Sequence, residues 1–73
     1  MNSKAIGNRI RGLREELGQS KRFVAGQLGI SYSSMCQYEY GLRIPGDETK
    51  LKIADYFGQS VESLFYAPDN NET

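Results

Sequence analysis

The sequence predicts an all-α domain, a compact bundle of five short helices with a helix-turn-helix at its centre. Three observations lead there. Apolar residues recur at helical spacing in successive short stretches, Ser and Gly residues punctuate those stretches, and the second and third are separated only by Gly29 and Ile30. A chain of 73 residues makes one domain, because at this size only about 60% of the unfolded surface can be buried and nothing is spare for a second core. The expected domain is 1–66, followed by a polar C-terminal tail, 67–73, of which Pro68 and Asp69 to Thr73 are expected to fray.

Ile6, Ile10, Leu13 and Leu17 are spaced four, three and four apart, which puts them on one stripe of a helix over about residues 3–17, with Gly18 ending it. Gly7 and Gly12 lower its intrinsic propensity by roughly 1 kcal/mol each relative to Ala, so packing must hold it. Ser20 is a candidate N-cap for a second helix with Phe23, Val24 and Leu28 inward and Gly29 as its stop. Ser31 caps a third, with Met35 and Tyr38 inward and Ile30 packing ahead of the cap. Gly41 ends that helix near Tyr40, and Ile44-Pro45-Gly46 reads as a turn. Asp47 and Glu48 suit the start of a fourth helix, about residues 47–57, with Ile53, Ala54 and Phe57 inward and Leu51 beside them. Gly58 closes it, and Ser60 caps a last short helix whose Val61, Leu64 and Phe65 complete the core.

The segments 20–28 and 31–40 are joined by too little chain to lie antiparallel, so they are expected to cross steeply. Small Ala25 lets the third helix approach the second, and Gly26 is expected to add room. The same residues also serve ordinary packing in any small bundle.

Composition excludes several functions. The chain has no His and one cysteine, Cys36, so neither an intramolecular disulfide nor a zinc cluster can form. Cys36 has no His to act as its base, and the Ser and carboxylate residues show no acid-base spacing. The expectation is a non-enzyme that needs no cofactor and no metal. Apolar runs fall far short of the roughly 20 residues of a membrane helix, and cytoplasmic residence is the expected localisation.

Net charge is zero, but it is unevenly distributed. Lys4, Arg9, Arg11, Arg14, Lys21, Arg22 and Arg43 against Glu15, Glu16 and Glu39 leave residues 1–46 with a surplus of four positive charges; residues 47–73 carry the matching negative surplus. One half suits phosphate and the other does not, although ordinary scatter of surface charge produces such splits too.

A third helix buried through Met35 and Tyr38 turns Tyr32, Ser33, Cys36, Gln37 and Tyr40 outward. The i, i+1, i+4, i+5 pattern of Tyr32, Ser33, Cys36 and Gln37 matches the edge a helix presents to the major groove, and Gln37 has the donor and acceptor needed to pair with adenine N6 and N7. Tyr32 can meet a thymine methyl or a phosphate, whereas Cys36 suits close approach or packing. A lone Gln on an exposed helix is also commonly just solvated. Arg11, Lys21, Arg22 and Arg43 are candidates for phosphate contacts, which position without reading sequence. Lys21 stands out because it shares the first turn of its helix with free backbone N–H groups. Arg14, at the edge of the inward stripe, and Glu39, beside Tyr38, are expected to form a salt bridge between the first and third helices.

The stretches IGNRIRGLREELGQS, VAGQLGIS, SYSSMCQYEYGLRIP and LKIADYFGQSVESLF resemble, across about residues 6–66, the Cro/CI-type helix-turn-helix family, often called the XRE family. The spacing of Ala25, Gly29, Ser31, Glu39, Gly41 and Pro45 carries much of that resemblance. It implies a lambda-repressor-like DNA-binding domain from a bacterial or phage transcriptional regulator, a repressor that binds a double-stranded operator as a homodimer. It further implies DNA contacts at Lys21, Tyr32, Ser33 and Gln37, backbone contacts at Tyr40 and Arg43, and the interhelix pair Arg14 with Glu39. Lys21 stands where the family usually has Gln, and Tyr32 where it has a polar or basic residue, so an unusual operator preference is expected. Asp47 and Lys50 stand where apolar residues are common; Lys50 is expected to bury its stem and expose its ammonium. The alternative is a protein-interaction module of the same fold, such as an antitoxin-like or regulatory subunit, that binds a protein through its acidic second half, with Tyr56, Phe65 and Tyr66 either as an aromatic anchor or completing the core.

Overall fold

A computed structural model describes residues 2–68 of the chain. Of the tail expected to fray, Asp69 to Thr73 lies outside the described residues. The helices run α1 (Ser3–Glu16), α2 (Lys21–Leu28), α3 (Tyr32–Glu39), α4 (Asp47–Tyr56) and a short π-wound α5 (Glu62–Tyr66). Among the described residues there is no strand.

Local chemistry sets most of these boundaries. The Asn2 side chain accepts from the Ala5 N–H, and the Ser20, Ser31 and Ser60 hydroxyls accept at 3.0 Å from Phe23, Ser34 and Ser63, each satisfying one of the donors that a helix start leaves unpaired. Gly18, Gly29, Gly41 and Gly58 all follow helix ends.

Ile6, Ile10, Val24, Ala25, Leu28, Met35, Tyr38, Ile53, Ala54, Leu64 and Phe65 form one core, with Leu13, Ile30, Ile44, Tyr56, Phe57 and Val61 packed against it. Three residues expected inward or beside the inward positions stand at its margin instead. Leu17 is 52% exposed, Phe23 50% and Leu51 62%. Leu17 is the cap residue beyond the last turn of α1, while Phe23 stands directly before buried Val24 and Leu51 two residues before buried Ile53, each at the edge of its helix's buried stripe. Phe65, one of the aromatic residues with two possible roles, is a core residue, whereas Tyr66 is 53% exposed.

The glycine that permits close helix packing is Gly7, not Gly26. A Cβ at Gly26 would meet nothing within 4 Å, whereas one at Gly7 would lie 2.6 Å from the Tyr38 carbonyl oxygen and 2.9 Å from the Glu39 carbonyl carbon. Here α1 lies directly against the backbone of α3, and Gly12, with open space around it, has no such role.

Lys50 departs from expectation at its tip. Its side chain is 9% exposed, and the ammonium is not released to solvent: Nζ donates to the Tyr66 hydroxyl at 2.9 Å, with Asp47 Oδ1 at 3.8 Å. Arg9 ties the far end of the chain to α1, donating from Nη1 to the Leu64 carbonyl at 3.0 Å and from Nη2 to that of Ala67 at 3.1 Å. Among the described residues, no helix is long and apolar enough to cross a membrane.

Candidate nucleic-acid interface

The turn between α2 and α3 is built by Gly29 at φ +70°, from which Ile30 N–H reaches back to the Ala25 carbonyl at 3.0 Å. That 6→1 closure satisfies carbonyls at the end of α2 and redirects the chain within two residues. Ser31 then caps α3 at once, so the second helix leaves the first at a fixed angle.

Met35, Tyr38 and Glu39 fix α3 in the fold, at 0%, 4% and 1% exposure. The opposite side carries Tyr32 and Ser33 exposed, Cys36 and Gln37 half-buried, and Tyr40 exposed at the helix end. The candidate base-reading residues therefore share one outward edge.

The candidate phosphate-binding cations lie against this edge through tyrosines. Lys21 Nζ donates to the Tyr40 hydroxyl at 3.1 Å and sits 4.7 Å from that ring's centroid. The contact holds the Lys21 pKa above its ordinary value. Arg22 lies over the Tyr32 ring at 4.5 Å, a geometry in which a cation meets the negative face of an aromatic ring. The Tyr32 hydroxyl is in turn held above its ordinary pKa, chiefly by the neighbouring Cys36 thiol. Arg43 folds onto α3, hydrogen-bonded to Gln37, Ser34 and Tyr38.

Arg11 is placed differently from the other candidates. Its Nη2 donates to the Glu39 carbonyl at 3.0 Å and its Nε lies 3.6 Å from Glu39 Oε1, so part of the guanidinium fills the seam between α1 and α3. Its side chain is still 37% exposed. Arg14 lies deeper in the same seam. Nε and Nη2 grip the two Glu39 carboxylate oxygens at 2.6 and 3.0 Å, and Nη1 donates to the Gln19 carbonyl at 2.8 Å. The bond to Glu39 raises the Arg14 pKa further. One buried carboxylate thereby fixes α3 against α1, and Arg14, which it holds, reaches the Gln19 carbonyl at the start of the helix-turn-helix.

Sequence reasoning did not find the hydroxyls of Ser34 and Tyr38 as partners of Arg43, nor the cation-tyrosine pairing of Lys21 and Arg22. The Tyr38 role was hidden because helical spacing marks that ring as core, which it is, and says nothing of where its hydroxyl emerges. Arg43 comes from a loop, where no periodicity reports direction.

No family model matches the chain, and no solved structure matches it. The chain is 32% identical over 69 residues, 92% of its length, to the cryptic phage CTXphi transcriptional repressor RstR of Vibrio cholerae serotype O1. It spans 62% of the length of that relative, and along almost all of its own length it is similar to a phage transcriptional repressor.

Proposed function

We propose that this chain is a sequence-specific double-stranded-DNA-binding transcriptional regulator of the Cro/CI type, a repressor acting in the cytoplasm, with α3 in the major groove. The observation that carries this reading is the division of α3 into two sides. Met35, Tyr38 and Glu39 are fixed in the fold, while Tyr32, Ser33 and Gln37 form an outward edge with Lys21 and Arg22 beside it. Similarity to a phage transcriptional repressor supports the same conclusion.

In this reading Tyr32, Ser33 and Gln37 contact base edges, and Lys21, Arg22, Tyr40 and the exposed part of Arg11 contact phosphates. Lys21 and Arg22 open α2, so the backbone N–H groups of its first turn add to their attraction for a phosphate. The regulator binds as a homodimer, and its half-sites lie about one helical turn apart. Selection of bound duplexes from a random library tests the reading. An enriched, two-fold-related motif is the expected result, and retention without any motif at low salt overturns it.

A further inference from the structure

The family resemblance assigns Arg43 to the phosphate backbone, yet its guanidinium is turned back onto α3. Nη1 donates to Gln37 Oε1 at 2.9 Å, while Nη2 donates to the Tyr38 hydroxyl at 2.9 Å and to the Ser34 hydroxyl at 3.1 Å. The guanidinium carbon also lies 5.0 Å from the centroid of the Tyr38 ring. Tyr38 is 4% exposed, so the hydroxyl that anchors this fork belongs to a ring fixed in the core.

The chemistry of the contact is one-sided. A guanidinium has donors only, so the end of the Gln37 amide that faces it must be oxygen. An unpartnered amide turns about its last torsion, which is broad and roughly two-fold, and offers either end at a given point. The clamped amide keeps its carbonyl on the Arg43 side, with one lone pair left, and offers its Nε2 hydrogens elsewhere.

In the major groove adenine presents an acceptor at N7 and a donor at N6, whereas guanine presents acceptors at both N7 and O6. An amide of fixed orientation matches adenine with both ends and sets its oxygen against guanine O6. An amide free to turn can donate its nitrogen to guanine instead.

We infer that Arg43 is a positioning residue that sets the base preference of Gln37, anchored for that purpose by the buried Tyr38 hydroxyl. The inference rests on the DNA-reading function proposed above.

Selection from a random duplex library with the wild-type chain, Gln37→Ala, Arg43→Ala, Arg43→Lys and Tyr38→Phe tests it. The wild type is expected to favour adenine over guanine about tenfold at one base pair per half-site, within the range of a good bidentate contact. Gln37→Ala abolishes that preference. Arg43→Ala lowers it to about twofold at the same pair, because the amide no longer has a fixed end. Arg43→Lys, which keeps the charge but lacks the fork, gives the same loss, and Tyr38→Phe, which removes no charge and no exposed group, gives part of it. Should Tyr38→Phe fail to fold, the two Arg43 variants carry the test. An Arg43→Ala protein that binds every sequence more weakly but selects the unchanged motif overturns the inference, since that is the behaviour of a phosphate contact. A wild-type chain that enriches no motif overturns the DNA-reading function itself. The Gln37 side-chain amide resonances, measured without DNA, then judge the clamp, which fails if Arg43→Ala leaves them unmoved.

Discussion

Arg14 closes on the Glu39 carboxylate with both Nε and Nη2, and that carboxylate has no exposed surface. Arg11 approaches the same group from its outer side, so two guanidinium groups from α1 converge on one acid of α3. Removing the acid takes the carboxylate from both: Arg11 keeps its bond to the residue-39 carbonyl, and Arg14, its side chain 12% exposed, is left with the Gln19 carbonyl and no acid against it.

Glu39→Ala is therefore expected to cost about 3–5 kcal/mol, the usual penalty for breaking a buried pair from one side. At this chain size each kcal/mol moves Tm by roughly 4–8 °C, so a fall of more than about 10 °C should appear in a circular dichroism melt. Among molecules still folded, affinity for all duplexes should drop together, because the pair orients α3 and reads no base. An unchanged Tm removes the pair from the account.

Alanine should have opposite effects at three glycines inside helices. At Gly7 the new Cβ meets the α3 backbone at 2.6 and 2.9 Å, so α1 must move away and stability should fall despite the better helix propensity of Ala. At Gly12 and Gly26 it meets nothing within 4 Å, and each substitution should gain up to about 1 kcal/mol. Urea midpoints that shift the same way for all three contradict this division.

Tyr66→Phe should destabilise the fold by about 1.5–3 kcal/mol, because it deprives the nearly buried Lys50 ammonium of its hydroxyl acceptor. The Asp47 carboxylate, 3.8 Å away and 98% exposed, is a weak replacement. Lys50→Met keeps the packing stem and removes the charge, leaving the exposed Tyr66 hydroxyl to water, and should be neutral or stabilising. A Lys50→Met protein less stable than Tyr66→Phe would show that the ammonium itself holds the region together.

Alkaline pH should weaken the fold through two contacts on the α3 surface. Lys21, bonded to Tyr40, holds its proton above the ordinary 10.5, and Tyr32, beside the Cys36 thiol, holds its own above the ordinary 10.0. Folding thus favours the protonated form of each, so their contributions are complete below about pH 10 and disappear as pH rises through the folded values. Both groups are well solvated, and the effect is small. Tyr40→Phe should flatten part of the alkaline fall in Tm; a profile identical to wild type rules out the Lys21 contribution.

Lys21→Ala and Arg22→Ala should each weaken all duplexes alike and make the log-log salt dependence of binding shallower by about 0.9, one phosphate contact apiece. A change in selected motif with an unchanged salt slope would move that residue from the phosphates to the bases.

The helix boundaries were legible because they are local. Ser20, Ser31 and Ser60 cap through bonds that span three residues, and Gly29 stops α2 by its own conformation. The anchored side of α3 was legible for the same reason, since Met35 and Tyr38 stand one turn apart and leave Tyr32, Ser33 and Gln37 to the other side. What depends on a second element was not. Periodicity defines a stripe but not the width that neighbouring helices cover, so Leu17 and Phe23, expected inward, and Leu51, expected beside the inward residues, lie at the margin. The value of Gly7 lies in the α3 backbone opposite it, more than 30 residues away in sequence. Long side chains were the least legible of all: Arg43, Arg11 and Lys50 choose partners that only the assembled surface supplies.

In the proposed function the outer edge of α3 reads base sequence in duplex DNA. Fluorescence-anisotropy titration of the chain against its selected duplex and a scrambled duplex of equal length and composition, at one physiological salt concentration, tests it most directly. The expected result is binding at least about 10³-fold tighter to the selected duplex, the lower bound for a specific site, with Gln37→Ala losing a large part of that ratio. Equal affinity for the two duplexes would contradict the account.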